Sequence, residues 1–385
     1  MSNDKRLKIA YISSYDPLDK SIWSGTAYSI YRSLQNNVGD VNVLGPCEPW
    51  LQLTAGKIRS RVLRLLTGKK YNYGHSESLA EAYANFFEKK LDDKQYDLIV
   101  APSASCILAK LKTNIPIVYI TDSTVAASLN YHDNLTGLSK SSVEESLSVE
   151  QGALNNADLC IFSSQWAADS AINDFKTPAE KIKILPYGAN FELLPAANEI
   201  KYDSIPDSLN LLFVGVYWEN KGGERAYNCL TSLLKKGVKA TLTICGCTPP
   251  DKFIHPSVEV IPFLNKNNPA DAQRLSELFS QANFLLLPTR FDCTPIVICE
   301  ASAYGVPVLC ANTGGVLGHI SPGINGYIID YNDMGDAYAA KIMEVMEDPS
   351  TYTALRSSSR KMYDEKLNWN TWTEKFKEII KPVLK

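Results

Sequence analysis

Pro288-Thr-Arg290-Phe-Asp292-Cys-Thr294-Pro295-Ile-Val-Ile-Cys-Glu300-Ala-Ser-Ala-Tyr-Gly305-Val-Pro307-Val-Leu-Cys-Ala311 is the stretch whose reading decides the fold. An apolar strand, 284–287, runs into it, and a second, 306–309, closes it. Between them the residues predict a helix through Glu300, entered near Pro295, since proline suits a first helical turn. Strand, loop, helix and strand in so few residues form the repeating unit of a parallel sheet covered on both faces. The first N–H groups of such a helix are unpaired and carry partial positive charge, so they can hold a phosphate. Asp292 lies in the loop and Glu300, eight positions on, lies on the helix. Spacing alone leaves two readings. Either Asp292 caps the helix and Glu300 pairs with a cation, or the two carboxylates accept hydrogen bonds from the hydroxyls of a sugar and a ribose.

Outward from this stretch the same alternation continues. Strands are expected at 7–13, 98–101, 117–121, 159–163 and 182–185, then again at 209–215, 240–245 and 258–263. Helical patterns fall at 26–34, from Trp166, and after Gly223. The two series are separated by the turn-rich Tyr187-Gly-Ala-Asn190 and by a polar stretch, 195–208, that contains two prolines. The predicted organisation is α/β: a Rossmann-like domain over 1–193, a linker over 194–208 and a second Rossmann-like domain over 209–368. Two such domains facing an interdomain cleft bind ligands outside the carboxyl ends of their strands.

The bulk numbers exclude several classes. The 385 residues are enough for two ordinary domains. Net charge is -3, which argues against a nucleic-acid partner. No apolar run reaches the roughly 20 residues that span a bilayer. The opening Met-Ser-Asn-Asp-Lys-Arg lacks the apolar core of a signal peptide, which points to a cytoplasmic protein. Nine scattered cysteines, most in apolar segments, read as buried reduced thiols. Cys245-Gly-Cys247 has no second pair or nearby histidine to complete a zinc site.

The quoted stretch resembles the signature of retaining glycosyltransferases of the GT-B fold, those of the group 1 or family 4 type. Their acid, seven residues, Glu, Ala, Gly-x-Pro-Val and Gly-Gly recur here as Asp292, Glu300, Ala301, Gly305-Val-Pro307-Val308 and Gly314-Gly315, followed by Gly323-Ile-Asn325-Gly326. The resemblance implies that Asp292 contacts the donor hexose and Glu300 the ribose. It implies that amides of Thr294, Ile296 and Val297 hold sugar and phosphate oxygens. Asp292 is one methylene shorter than the usual Glu, and Thr294-Pro295 stands where Phe-Gly is common. A second element, Phe213-Val-Gly215-Val-Tyr-Trp-Glu-Asn-Lys221-Gly222, resembles the family's Gly-Arg-x4-Lys-Gly. Lys221 takes the place of the diphosphate-binding lysine, but Val216 replaces the arginine. Arg290 is a candidate to compensate, although a structural role beside the motif is its more usual one.

In the first half, Ile22-Trp23-Ser24-Gly25 matches the place of the family's glycine loop, which makes Gly25 a donor-side candidate. Asp122, after the strand 117–121, either caps a helix or contacts sugar; His132 and Asp133 are weaker candidates. The family resemblance also implies front-face attack, with Asp122, Lys221 and Asp292 as the catalytic set. It implies no bound metal and no cofactor beyond the nucleoside diphosphate sugar, and a helix over 369–385 that returns to the first domain. The expected acceptor is a hydroxyl of a glycan or lipid-linked molecule. Rival readings are a hydrolase or epimerase of the same fold, an inverting transferase, and a two-lobed sugar-binding protein.

One segment stands apart. Residues 56–73 carry Lys57, Arg59, Arg61, Arg64, Lys69 and Lys70 and no acid, and Ile58, Val62, Leu65 and Leu66 fall at helical spacing. Such a helix either packs on its own domain or meets an anionic membrane surface, which would place the protein at the inner face of the membrane.

Overall fold

The computed structural model describes residues 6–91, 95–192, 194–200, 202 and 206–384. The expectations for 1–193, 194–208 and 369–385 fall outside it at 1–5, 92–94, 193, 201, 203–205 and 385. The chain divides into two compact units, one of Met1–Ile22, Thr26–Leu185 and Thr373–Lys385, the other of Trp23–Gly25 and Pro186–Trp372.

The first unit holds six strands: β1 (Leu7–Tyr11), β2 (Gly39–Val43), β3 (Leu98–Pro102), β4 (Ile117–Thr121), β5 (Leu159–Phe162) and β6 (Ile182–Ile184). All neighbours are parallel, in the order β2-β1-β3-β4-β5-β6. Every residue of β3, β4 and β5 is buried, which is why they read as unbroken apolar runs. Helices cover them with one apolar stripe each. In Glu77–Glu88, for example, Leu79, Ala80, Tyr83, Ala84 and Phe87 are buried, and Ser76 starts the helix by accepting from the Leu79 N–H.

Inside this core Glu150 is 2% exposed, and the Tyr119 hydroxyl donates to its carboxylate at 3.2 Å. Burial pushes the Glu150 carboxyl up to about 7 from an ordinary 4.5. The folded chain therefore favours the protonated acid. That preference stabilises fully below about pH 4.5 and is lost as pH rises through about 7, a swing of roughly 3 kcal/mol. Nearby His75, whose ring nitrogen meets the Ser105 hydroxyl at 3.1 Å, is pushed down to about 4 by burial and acts in the opposite sense. Glu150→Gln keeps an acceptor and removes the charge, so comparison with the parent isolates the glutamate. The variant is expected to melt several degrees higher at pH 8.5 and much closer to the parent at pH 5. An equal shift at both pH values would show that ionisation is not the cause.

The second unit has β7 (Leu209–Val214), β8 (Ala240–Cys245), β9 (Val258–Ile261), β10 (Phe284–Leu287), β11 (Val308–Ala311) and β12 (Gly326–Ile329). Its order is β9-β8-β7-β10-β11-β12, again all parallel. Numbered within the unit this is 3-2-1-4-5-6, the strand order of dinucleotide-binding sheets. Strand order reverses between β7 and β10, so the loops that leave those two strands open side by side.

Sequence and structure differ in places. β2 and β12, both sheet edges, lie outside the expected strands: β2 alternates, with Asp40 and Asn42 exposed, whereas β12 is the short apolar Gly-Tyr-Ile-Ile that directly follows a glycine turn. The change of unit comes at Pro186, not at 193. Residues after it pack on the second unit: the Ala189 N–H donates to the Leu367 carbonyl at 3.1 Å, and Cys299 Sγ lies 3.4 Å from the Tyr187 carbonyl. The polar stretch expected as a linker is also tied there. Arg360 donates to the Pro195 carbonyl at 2.8 Å and Thr353 to that of Tyr202 at 3.4 Å. All nine cysteines are free thiols. Burial pushes Cys245 and Cys247 up to about 11 each, so both are thiols at neutral pH.

Candidate functional site

The site builds from the two strands at the reversal point. β7 ends at Val214, and the chain turns through 215–222 into the helix Gly223–Lys235. Gly222, the residue before that helix, has φ of +75°. A Cβ there would lie 2.0 Å from the Pro288 carbonyl oxygen, so only glycine lets the two loops meet. They are also bonded: the Arg290 N–H donates to the Asn220 carbonyl at 2.7 Å, and the Thr289 hydroxyl to the same oxygen at 3.2 Å. This stitching sets Lys221 against the β10 loop. Its stem lies over Gly215, and its Nζ donates to Asp292 Oδ2 at 2.6 Å. The N–H of Gly315, from the Gly-Gly turn after β11, donates to the Asp292 carbonyl at 3.0 Å. Three loops thus converge on one aspartate.

The helix that follows is Ile296–Ala303, with Pro295 as its N-cap residue and no side-chain cap. Val297 is in its first turn, where N–H groups have no partner within the helix. The Ile296 N–H donates to the Thr294 carbonyl at 3.0 Å. Of the three amides expected to meet the donor, that of Ile296 is therefore already engaged, because the chain tightens before the helix starts. Glu300 is 3% exposed, and Lys266 Nζ donates to its Oε1 at 2.5 Å. The same ammonium stands 5.2 Å from the centre of the Phe191 ring. Sequence reading missed Lys266. Its only local signal is a lone cation in an asparagine-rich loop after β9.

The remaining candidates are placed as follows. Arg290 turns its charge onto Tyr331: the guanidinium stacks 3.2 Å from the ring centre and donates to the Tyr331 carbonyl, and the Tyr331 hydroxyl returns a bond to the Arg290 carbonyl at 3.4 Å. Val216 is half exposed and brings no charge. Trp23, Ser24 and Gly25 all have positive φ, and the turn clusters with the second unit. It is held by Trp23, edge-on to Tyr187 at 5.5 Å, and by Asn190, which donates to the Ser24 carbonyl at 3.0 Å. Two non-glycine residues in that conformation store strain, which is common where a loop serves a ligand. Asp122 lies in the first unit, directly after β4. It is not the cap of the next helix. Thr124 takes that place by accepting from the Ala127 N–H at 3.1 Å. Burial above all, with the Asp122 charge among the lesser causes, raises the Tyr15 phenol well above its ordinary range. His132 Nδ1 accepts from the Asn134 N–H at 3.1 Å in a local turn.

Residues 198–362 match the family described as Glycosyl transferases group 1. This region is a group 1 glycosyltransferase domain. It contains Lys221, Lys266, Asp292 and Glu300. The chain is also 27% identical over 197 residues to an uncharacterized 41.2 kDa protein in the cps region of Klebsiella pneumoniae, covering 49% of this chain and 51% of that protein. It is 24% identical over 214 residues to D-inositol 3-phosphate glycosyltransferase of Paenarthrobacter aurescens, covering 52% of each. The chain thus spans about half the length of these curated relatives. Among solved structures, the sucrose-phosphate synthase of Thermosynechococcus elongatus superposes with a TM-score of 0.70 at 17% identity, covering 98% of this chain and 99% of the other. Anabaena HepE, in complex with UDP and glucose, superposes at 0.63 and 15% identity, covering 98% and 100%. The fold around the glycosyltransferase domain is accordingly GT-B.

Proposed function

We propose that the chain transfers a hexosyl group from a nucleoside diphosphate sugar to a hydroxyl of a glycan or lipid-linked acceptor, with retention at the anomeric carbon. The observation that carries this reading is the Lys221–Asp292 pair at 2.6 Å, set at the strand-order reversal beside a helix start without a side-chain cap. The main chemical difficulty is the charge that grows on the departing diphosphate. Fixed positive groups stabilise it best, because they need no reorganisation as the bond breaks. Lys221 and the N–H groups of Thr294 and Val297 supply them, with the Gly25 turn as a further donor-side contact. Asp292 then exchanges its lysine for the hydroxyls of the donor hexose, and Glu300 accepts from the ribose. Asp122 is the acceptor-side polar contact. The proton of the attacking hydroxyl leaves with the phosphate oxygen, so no side-chain nucleophile takes part, and the reaction is proposed to need no metal.

HepE carries UDP and D-inositol 3-phosphate glycosyltransferases act on a phosphorylated polyol, so UDP-sugars and phosphorylated acceptors are the first to try. In a thermal-shift screen of UDP-, GDP-, ADP- and CDP-sugars, one donor class is expected to raise the midpoint, since only a ligand that binds the folded chain does so. That donor should be consumed only when acceptor is present, with unchanged rate in EDTA and an axial-to-axial or equatorial-to-equatorial product by NMR. Donor breakdown at equal rate without acceptor would identify a hydrolase. Binding without turnover would identify a sugar-binding protein.

A further inference from the structure

We infer that the helix Trp50–Thr67 is a docking surface for an anionic lipid bilayer, a property separate from the transfer reaction. This 18-residue helix buries none of its residues. It touches its own unit through a narrow face on which Leu53 packs partly buried against the core and the other contacts are small or polar groups. Gly56 lies against the Cβ of Tyr73, and the Ser60 hydroxyl accepts from the Tyr71 N–H at 3.2 Å. Arg59 stacks on Tyr71 at 3.9 Å and reaches Glu145 at 3.5 Å.

The apolar face points away from these contacts. Leu51, Ala55, Ile58, Val62, Leu65 and Leu66 are all exposed, with Leu65 at 86% and Leu66 at 79%. At roughly 100° per residue these six share one side of the helix, and they run along about 20 Å of it. Lys57, Arg61 and Arg64 line one flank of that stripe and are exposed. The helix ends at Gly68, whose left-handed cap donates to the Arg64 carbonyl, so Lys69 and Lys70 follow outside it. No acid occurs from 49 to 76, in a chain whose net charge is -3.

Charge decides the occupant. A second copy packed through this face would set the same three cations against one another, with no acid on the helix to pair them. Acidic lipid headgroups neutralise the flank while the stripe enters the acyl boundary, the arrangement of a helix lying in the membrane plane. No helix of the described residues is long and apolar enough to cross a membrane, so the contact is one of surface docking.

The test is flotation of the full chain with phosphatidylcholine vesicles, with and without about 30% phosphatidylglycerol, at low and high salt. Recovery on anionic vesicles is expected to exceed that on neutral ones at least tenfold and to fall at high salt. The triple variant Lys57→Gln, Arg61→Gln, Arg64→Gln should lose about tenfold or more of it. The variant Ile58→Ser, Leu65→Ser, Leu66→Ser should lose a similar factor. All six side chains are exposed, so both proteins should keep the parent melting temperature and the parent rate on a soluble acceptor. Equal recovery on the two vesicle types, or undiminished binding by both variants, would overturn the proposal. So would a dimer that the serine variant dissolves in the absence of any lipid binding.

Discussion

Replacing Lys221 with alanine is expected to lower kcat for transfer by about 10²–10³-fold, the size of loss seen when a fixed group facing developing charge is removed. The donor KM should change much less, because the lysine matters most once the diphosphate carries its full charge. A structural side effect has to be separated from this. In the parent, the Lys221 ammonium neutralises Asp292, which is only 7% exposed. Alanine leaves that carboxylate without its cation, at a cost of order 1–3 kcal/mol. The double variant Lys221→Ala, Asp292→Asn removes both charges and should recover the melting temperature without recovering kcat. Lys221→Arg keeps the charge on a bulkier fork and should retain part of the rate. A single alanine variant with parental kcat and KM would remove Lys221 from the mechanism.

Gly222→Ala is expected to be among the most damaging single methyls in the second unit. The added Cβ would stand 2.0 Å from the Pro288 oxygen and 2.7 Å from its carbon, and φ of +75° already disfavours any side chain. Neither backbone can give way freely, since the Arg290 N–H to Asn220 carbonyl bond closes the same loop pair. A loss of about 4 kcal/mol is expected, with a fall in melting temperature of roughly 10 °C. Donor binding should fall too, because Lys221 and Asp292 are held together by the loops that must separate. Gly237 is the matched control. It has φ of +81° but open space around a would-be Cβ, so Gly237→Ala should cost only about 1–2 kcal/mol. Equal losses at the two positions would mean that conformation alone, and not the loop contact, accounts for Gly222.

Much of this arrangement was legible in the residue order. The apolar runs at 117–121 and 284–287 became strands with those bounds, because strands buried on both faces need apolar residues throughout, and 240–245 did so on its alternation, with Thr241 exposed between buried Ala240 and Leu242. The edge β2 escaped notice because Asp40 and Asn42 alternate with its valines and face outward. The eight-residue step from Asp292 to Glu300 correctly separated a loop acid from a helix acid, since such spacing is local. Reading could not show that the Ile296 amide is spent on Thr294, or that Arg290 faces Tyr331. Both depend on how the chain folds back over its neighbours.

By itself, then, the sequence determined two parallel α/β sheets, a helix start at 295–297 suited to a phosphate, and an acid on either side of that start. Those features depend on neighbours within a few turns of chain. The partners of the acids were decided only by the tertiary structure. Lys221 reaches Asp292 across 71 positions and Lys266 reaches Glu300 across 34. No local pattern encodes such pairs. The first exists because β7 lies beside β10 in the sheet, which opens their two loops onto one another, and because glycine at 222 allows those loops to touch; the second brings the loop after β9 to the helix after β10. The same holds for 56–73. Its basic, amphipathic character is written in the residues. That its apolar stripe faces outward follows from where Gly56, Arg59 and Ser60 attach it.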